Sequence, residues 1–218
     1  MDKRAARRNF ALIVMVHIFI TVKPSTRLPG KNARLAGYTI AWLAMELLYS
    51  TEPVRVYTVG ARSELPARLP TNWQHIECLT GTHRGDIEQA ERAAAPAVGD
   101  VCVLVQLTQP LRRCGLLADV VEQTRSHGCA VTVCNGRQDD WRTILPGGRW
   151  KQTKGQRVAL HDGALYGWLP GKAAAIFCAT AEHGVVINYA GQPVDVDEAA
   201  DIPCCLAGAW AEMLLRGC

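Results

Sequence analysis

Short apolar runs alternate along this chain with segments whose apolar residues recur every three or four positions. The nearly continuous apolar runs at 11–22 and Val101–Leu107 predict strands buried on both faces of a sheet. Ala36–Ser50 and Gly115–His127 carry apolar residues at helical spacing and predict helices. The remaining predicted strands are Val54–Val59, His75–Leu79, Ala130–Cys134, Gly163–Trp168, Ala175–Ala179 and Val185–Tyr189, and the remaining predicted helices are Glu64–Arg68, Gly85–Ala95 and 198–215.

This order of strands and helices predicts an α/β fold with a mainly parallel, twisted sheet flanked by helices, as in Rossmann-like proteins. We expect one domain over residues 1–218, with a long irregular excursion near 135–165. In open α/β sheets, ligands bind at the carboxyl ends of the strands. Three polar clusters follow predicted strands there, at 23–32, 106–113 and 195–201.

Composition narrows the class of protein. The formal net charge of +4 and the 20% of charged residues argue against a dedicated nucleic-acid binder, which would carry a concentrated basic face. The nine cysteines are odd in number and contain no C-x-x-C pair, so we expect free thiols in a reducing cytoplasm rather than disulfides or a zinc site.

The N-terminus permits two interpretations. MDKRAARR followed by ALIVMVHIFITV has the order of a targeting signal, a basic stretch before an apolar one. The apolar run is shorter than the roughly 20 residues that span a bilayer. It also leads directly into a polar loop, so the sequence favours a first buried strand and no membrane span.

The loop after that strand contains Lys23, Ser25, Arg27 and Lys31. Cationic and hydroxyl side chains on a turn stiffened by proline suit a polyanion such as a nucleoside triphosphate. The segment is not a Walker A loop, which requires G-x-x-x-x-G-K-[ST]. An ordinary basic surface turn remains the alternative.

A pair of carboxylates lies near the C-terminus. Asp195 and Asp197 are separated by one residue, so in a strand both project to the same face. Such a pair repels itself unless a cation lies between the two carboxylates, and Mg²⁺ shared with substrate phosphates would satisfy both. The alternative is that Asp197 caps the following helix. We expect Asp201 to be structural.

The first of these segments resembles a known signature. STRLPGK with the adjoining Asn32 is similar to the nucleotide-binding motif of the sugar-acid cytidylyltransferases, approximately A-R-x-x-S-x-R-x-P-G-K-[NP]. These enzymes activate KDO (3-deoxy-manno-octulosonate) and sialic or related nonulosonic acids as CMP-sugars. The resemblance implies a nucleotidyltransferase fold in which Lys23, Ser25, Arg27, Lys31 and Asn32 hold CTP. Lys23 stands where the family has Arg, and one residue fewer separates it from Ser25.

Three later segments follow in the family's order. Gln106 to Arg112 (QLTQPLR) is similar to Q-P-T-S-P-L-R, which implies that Gln106 and Thr108 contact the nucleotide and Arg112 the substrate. Asp162-Gly-Ala-Leu-Tyr166 resembles N-G-A-[IL]-Y of the sugar-acid pocket, with Asp162 in place of Asn. The stretch from Asp195 to Asp201 looks like D-I-D-x-x-x-D-L, whose first two aspartates are associated with the metal.

The resemblance implies transfer of CMP from CTP to a sugar acid, with release of pyrophosphate and with Mg²⁺ as cofactor. Arg27, Lys31 and Asp197 would be catalytic, and CTP and a small sugar acid would be the partners. Members of the family are commonly homodimers, and the irregular region 135–156 is where we would look for an interface. One alternative is a catalytically diverged nucleotide-binding or interaction module. Another is a GT-A glycosyltransferase, because Asp195-Val-Asp197 is formally a D-x-D pair.

Overall fold

A computed structural model describes residues 14–22, 31–65, 69–78, 80–110, 112–134, 142–144, 150–152, 160–176 and 184–186. The strands within these ranges are β1 (Val16–Val22), β2 (Val54–Gly60), β3 (Gln74–Glu77), β4 (Val101–Gln106), β5 (Cys129–Cys134), β6 (Arg142–Ile144), β7 (Trp150–Gln152), β8 (Leu160–Trp168) and β9 (Gly184–Val186). The helices are α1 (Lys31–Tyr49), α2 (His83–Ala94), α3 (Leu116–His127) and α4 (Ala173–Ile176), and a 3₁₀ turn covers Arg62–Glu64.

Seven of these strands form one sheet in the order β3-β2-β1-β4-β8-β5-β9. β8 runs antiparallel to both of its neighbours, and the other strand pairs of this sheet are parallel. The predicted α/β fold with a mainly parallel sheet is therefore confirmed. β6 and β7 pair with each other in a separate two-stranded sheet inside the segment expected to be irregular.

Helices cover both faces of the sheet, which explains why its central strands are apolar throughout. α1 and α3 pack on one face, where Leu43 and Val120 are fully buried against the strands. α2 and α4 pack on the other face, where Ile87 contacts the cluster that contains Phe19 and Trp168. Alternate residues of β1 and β4 point to these two clusters.

Backbone amides at the N-termini of α2 and α3 are hydrogen-bonded to side chains. Thr82 caps α2 by accepting a hydrogen bond from the Gly85 amide at 3.0 Å. α3 has no such side chain of its own, and the buried Glu46 carboxylate of α1 accepts instead from the amides of Gly115 and Leu117 at 2.7 and 2.9 Å. This carboxylate fixes α1 against α3 on the same face of the sheet.

β8 is inserted between β4 and β5 with a register shift between Val131 and Val133. Thr132, which is buried at the shift, accepts a hydrogen bond from the Leu165 amide at 2.9 Å and donates to the Leu165 carbonyl. The hydroxyl replaces the ladder bonds that the irregularity removes. Gly167 lets α3 lie close to β8, because a Cβ there would be 2.0 Å from the Thr124 hydroxyl.

Several predicted bounds differ from the observed ones. α1 begins at Lys31 rather than Ala36, because its first turn is polar and the apolar periodicity starts only at Leu35. The strand predicted at Ala175–Ala179 is wrong where the structure describes it, since Ala173–Ile176 is helical. Three consecutive alanines after the Pro170–Gly171 turn favour a helix, and the β-branched Ile176 did not outweigh them. Residues 177–179 and the predicted helix at 198–215 lie outside the described residues.

Candidate active site at the carboxyl edge of the sheet

Three of the four segments singled out in the sequence approach one edge of the sheet. Thr21 at the end of β1 pairs with Gln106 at the end of β4, and Val22 pairs with Gly60 at the end of β2. β8 is antiparallel, so its first residue, Leu160, pairs with Cys134 at the end of β5 and lies at this same edge. Asp162 therefore has its backbone at the carboxyl edge, near the start of β8. The fourth segment, with Asp195, Asp197 and Asp201, lies outside the described residues.

The N-terminus of α1 also lies at this edge, because Asn32 bonds Glu64 in the turn that follows β2. Lys31 is the first residue of a 19-residue helix with no acidic residue in its first turn. The positive end of the helix dipole makes such a terminus suitable for an anion. The predicted nucleotide ligands Lys23, Ser25 and Arg27 belong to 23–30, outside the described residues.

Asn32 is held at this terminus by a residue that the sequence did not single out. Its carboxamide nitrogen donates to the Glu64 carboxylate at 3.0 Å, and only 4% of Asn32 is exposed. Glu64 belongs to the 3₁₀ turn that follows β2, so this bond connects the ends of β2 and α1. The sequence placed Glu64 in a predicted helix at Glu64–Arg68 and gave no signal of this contact.

Gln106 and Tyr166 meet at the end of β4. The Gln106 amide donates to the Tyr166 hydroxyl at 3.4 Å, and Tyr166 is 7% exposed. The sequence assigned Gln106 to the nucleotide and Tyr166 to the substrate, and the two side chains are now adjacent. Thr108 is half-buried in the turn that follows Gln106.

Arg112, predicted to bind substrate, is buried within the scaffold. Its guanidinium donates to the Thr39 hydroxyl of α1 at 3.2 Å and to the carbonyl of Gln106. The same group lies 4.9 Å above the ring of Trp42, a cation–π distance. Arg112 therefore connects the loop after β4 to α1. The sequence missed Thr39 and Trp42 because their positions in α1 give no local sign of this contact.

Gly60 sets the spacing of the strands at this edge. Its φ is +141°, and a Cβ there would lie 2.1 Å from the carbonyl oxygen of Val22. Glycine allows β2 to approach β1 immediately before the predicted phosphate loop begins.

A second polar cluster lies at the opposite, amino edge of the sheet. The buried His17 imidazole and the Asp100 carboxylate are 3.1 Å apart, and the Tyr57 hydroxyl lies 3.4 Å from the other ring nitrogen of His17. Burial lowers the pKa of His17, and the contact with Asp100 offsets only part of that effect. Burial acts to raise the pKa of Asp100, but hydrogen bonds from the amides of Met15 and Ala97 and from His17 lower it overall. These groups fix the start of β1 and are remote from the carboxyl edge.

Within the described residues, no three His, Cys, Asp or Glu side chains cluster in a way that could hold a metal ion. Searches found no matching family model and no matching curated protein.

Solved structures with the same fold were found. A CMP-2-keto-3-deoxy-manno-octonic acid synthetase complexed with CTP aligns with a TM-score of 0.65 at 12% identity, over 93% of this chain and 99% of that one. The Francisella tularensis 2-C-methyl-D-erythritol 4-phosphate cytidylyltransferase aligns with a TM-score of 0.60 at 11% identity, over 88% and 99%. The Thermus thermophilus enzyme of that name aligns with a TM-score of 0.52 at 16% identity, over 89% and 98%.

The fold is that of the cytidylyltransferases. The sequence resemblance predicted this fold, and the structural likeness confirms it. The roles of the individual residues stay predictions. In the part of the chain that the structure describes, no helix is both long and apolar enough to cross a membrane.

Proposed function

We propose that this protein is a cytidylyltransferase that transfers CMP from CTP to a sugar acid of the KDO or nonulosonic type. The observation that carries the proposal is the convergence of the Lys31 end of α1, Gln106 and Tyr166 at one sheet edge. Each belongs to a segment that resembles the sugar-acid cytidylyltransferases, and the fold is shared with an enzyme solved with CTP. In this proposal the segment near 135–165 is part of the same single domain as the rest of the chain. The cysteines, which we expect to be free thiols, favour a location in the cytoplasm.

The reaction is a displacement at the α-phosphorus of CTP. A sugar hydroxyl oxygen forms the new bond to that phosphorus, the bond to the bridging oxygen breaks, pyrophosphate leaves with the electron pair, and the proton of the hydroxyl passes to solvent. Arg27, Lys31 and Lys23 would stabilise the phosphate charge, supported by the N-terminus of α1. Ser25, Asn32 and Thr108 would orient the nucleotide, while Asp162 and Tyr166 would line the acceptor pocket. Asp195 and Asp197 would hold Mg²⁺, which neutralises phosphate charge and aligns the reactants when bound.

The experiment measures pyrophosphate release from the purified protein with Mg²⁺, each nucleoside triphosphate and a panel of acceptors. The panel contains KDO, nonulosonic acids and 2-C-methyl-D-erythritol 4-phosphate, the acceptor named for two of the similar structures. We expect release with CTP and a sugar acid only. Release with the erythritol phosphate alone would contradict the sugar-acid part of the proposal.

Two tyrosine variants, one toward each edge of the sheet, each remove a single hydroxyl group. Tyr166→Phe removes the hydroxyl that contacts Gln106, and Tyr57→Phe removes the one beside His17, each at 3.4 Å from its partner. In this proposal the Tyr166 hydroxyl also bonds the acceptor in the transition state, so we expect about a tenfold loss of kcat/KM with Tyr166→Phe, the value of one hydrogen bond, and no loss with Tyr57→Phe. Asp197→Ala should abolish turnover. Equal effects of the two tyrosine variants would place the chemistry elsewhere.

A nucleotide-binding module without turnover is the second candidate. Asn32 and Arg112, both predicted to bind ligands, are buried and bonded to Glu64 and to Thr39. Tight CTP binding in calorimetry without pyrophosphate release would favour this module. Hydrolysis of a finished sugar nucleotide would favour a glycosyltransferase instead.

A further inference from the structure

One short segment of the chain, residues 60–64, contacts both ends of the stretch that carries the predicted phosphate ligands. Gly60 pairs with Val22 at the end of β1, and a Cβ on Gly60 would lie 2.1 Å from the Val22 carbonyl oxygen. Four residues later, the Glu64 carboxylate accepts a hydrogen bond from Asn32, the second residue of α1, at 3.0 Å. Residues 60–64 therefore fix where that stretch leaves the sheet and where it enters α1.

Glu64 itself belongs to a closed turn. Its amide donates to the carbonyl of Ala61 at 3.0 Å, and the amide of Leu65 donates to the carbonyl of Arg62 at 3.2 Å. The partly buried side chain of Leu65 packs against the core cluster that contains Leu35 of α1. Because the chain is anchored on both sides of Glu64, the carboxylate reaches α1 from a fixed backbone.

The charge of Glu64 has a second effect at the same place. α1 has no acidic residue in its first turn, where a carboxylate would stabilise the positive end of the helix dipole. Glu64 supplies that negative charge from another element, beside the second residue of the helix. A phosphate group attracted to this helix end is repelled by Glu64. A neutral acceptor would hold Asn32 without this repulsion.

We propose that Glu64 is a positioning residue of the anion site at the start of α1, which holds Asn32 in place and whose charge lowers the affinity of the site for phosphate. The inference rests on the proposed function, since the anion is the triphosphate of CTP or the pyrophosphate that it releases. Binding triphosphate and pyrophosphate equally tightly adds nothing to the rate of the chemical step and slows product release. The carboxylate therefore favours departure of pyrophosphate.

The experiment is calorimetric titration of the full chain with inorganic pyrophosphate at low salt. Glu64→Gln keeps an oxygen that can accept from Asn32 and removes the charge, so its difference from the wild type reports the charge. Glu64→Ala is equally neutral but has no acceptor, so its difference from Glu64→Gln reports the bond. We expect Glu64→Gln to bind pyrophosphate about three- to fivefold more tightly than the wild type. Glu64→Ala should bind it about tenfold more weakly than Glu64→Gln.

Glu122→Gln is the matched control because it is the same chemical change elsewhere. Glu122 is exposed on α3 and lines a cleft with Val16 and Val54, the first residues of β1 and β2, at the opposite edge of the sheet. It should leave the affinity for pyrophosphate unchanged. The gain with Glu64→Gln should also disappear at about 1 M salt, where charges are screened beyond about 3 Å. A purely structural role of Glu64 would not produce that salt dependence.

The proposal is overturned if Glu64→Gln binds pyrophosphate no more tightly than the wild type, or if Glu64→Ala and Glu64→Gln bind it equally. Absence of pyrophosphate binding in both the wild type and Glu64→Gln overturns it as well. If circular dichroism shows that Glu64→Ala does not fold, the comparison of Glu64→Gln with Glu122→Gln decides. The expected order of affinities without CTP turnover would support the role of Glu64 and contradict the proposed function, so the two failures are distinct.

Discussion

The Gly60→Ala substitution gives a strong test of how the carboxyl edge is built. The new methyl group would lie 2.1 Å from the Val22 carbonyl oxygen and 3.0 Å from its carbon, both of them backbone atoms. Contacts with backbone cannot be relieved by a rotamer change, so β2 and β1 would have to separate. The φ of +141° adds strain for any residue with a Cβ.

The overlap with the backbone and the strained φ together set the expected loss in the free energy of unfolding. Overpacking costs about 1–3 kcal/mol and an unfavourable backbone conformation about 1–3 kcal/mol, so we expect a loss of about 3 kcal/mol or more in the free energy of unfolding. For a chain of this length, each kcal/mol lowers Tm by about 2–4 °C, which predicts a fall of about 6–12 °C. The assay is thermal unfolding by circular dichroism, with urea titration to obtain the free energy.

Gly37→Ala is the matched control because it is the same chemical change in an open place. Gly37 lies within α1, and a Cβ there meets nothing within 4 Å. Alanine should stabilise the helix by about 1 kcal/mol and raise Tm. If Gly60→Ala unfolds within about 2 °C of the wild type, the close approach of β2 to β1 is not as the structure describes and the reasoning fails.

Three further predictions concern packing and burial. Gly167→Ala should destabilise the fold, because the new Cβ would meet the Thr124 hydroxyl as its nearest atom. Thr124→Ala in the same chain should therefore recover part of the lost stability. Additive effects of the two substitutions in a double-mutant cycle would contradict this. Burial holds the pKa of His17 below its ordinary value of 6.5, so the unfolded chain takes up a proton first as the pH falls. Stability should therefore be full above pH 6.5 and decline below it, and His17→Gln should flatten urea-measured stability over that range; an unchanged slope would refute the assignment. Among the described cysteines, the exposed Cys114 should react with iodoacetamide, while Cys102, which is fully buried with a raised pKa, should not, as read by mass spectrometry of the native protein.

The order of elements was predictable because it depends on local pattern. Val101–Leu107 reads as a buried strand from its side chains alone, and the structure has a strand at Val101–Gln106. The position of β8 in the sheet is different, since nothing in its sequence distinguishes a parallel strand at the edge from an antiparallel strand between β4 and β5. That choice depends on distant partners, including the Thr132 hydroxyl at the register shift and the space that Gly167 leaves for Thr124.

The candidate site was predictable as a location and less so as a set of roles. Polar residues after buried strands indicated the carboxyl edge, and the structure brings Gln106 and Tyr166 together there. The sequence did not reveal that Arg112 is buried against the ring of Trp42, because that contact joins residues that are 70 positions apart. Glu64 was missed for the same reason, since its partner Asn32 lies on another element.

The contacts at this edge separate what holds the site from what would perform chemistry. Asn32 with Glu64 fixes the start of α1 to the end of β2, and Arg112 with Thr39 fixes the same helix to the end of β4. Buried polar groups need such partners whatever the ligand, so these bonds alone are sufficient reason for those residue types. A role in turnover therefore has to be carried by groups that scaffold bonding does not explain. In the described part of the chain, the positive end of α1 is such a feature. The Tyr166 hydroxyl accepts a hydrogen bond from Gln106, so the matched tyrosine variants test whether it has a role beyond that bond.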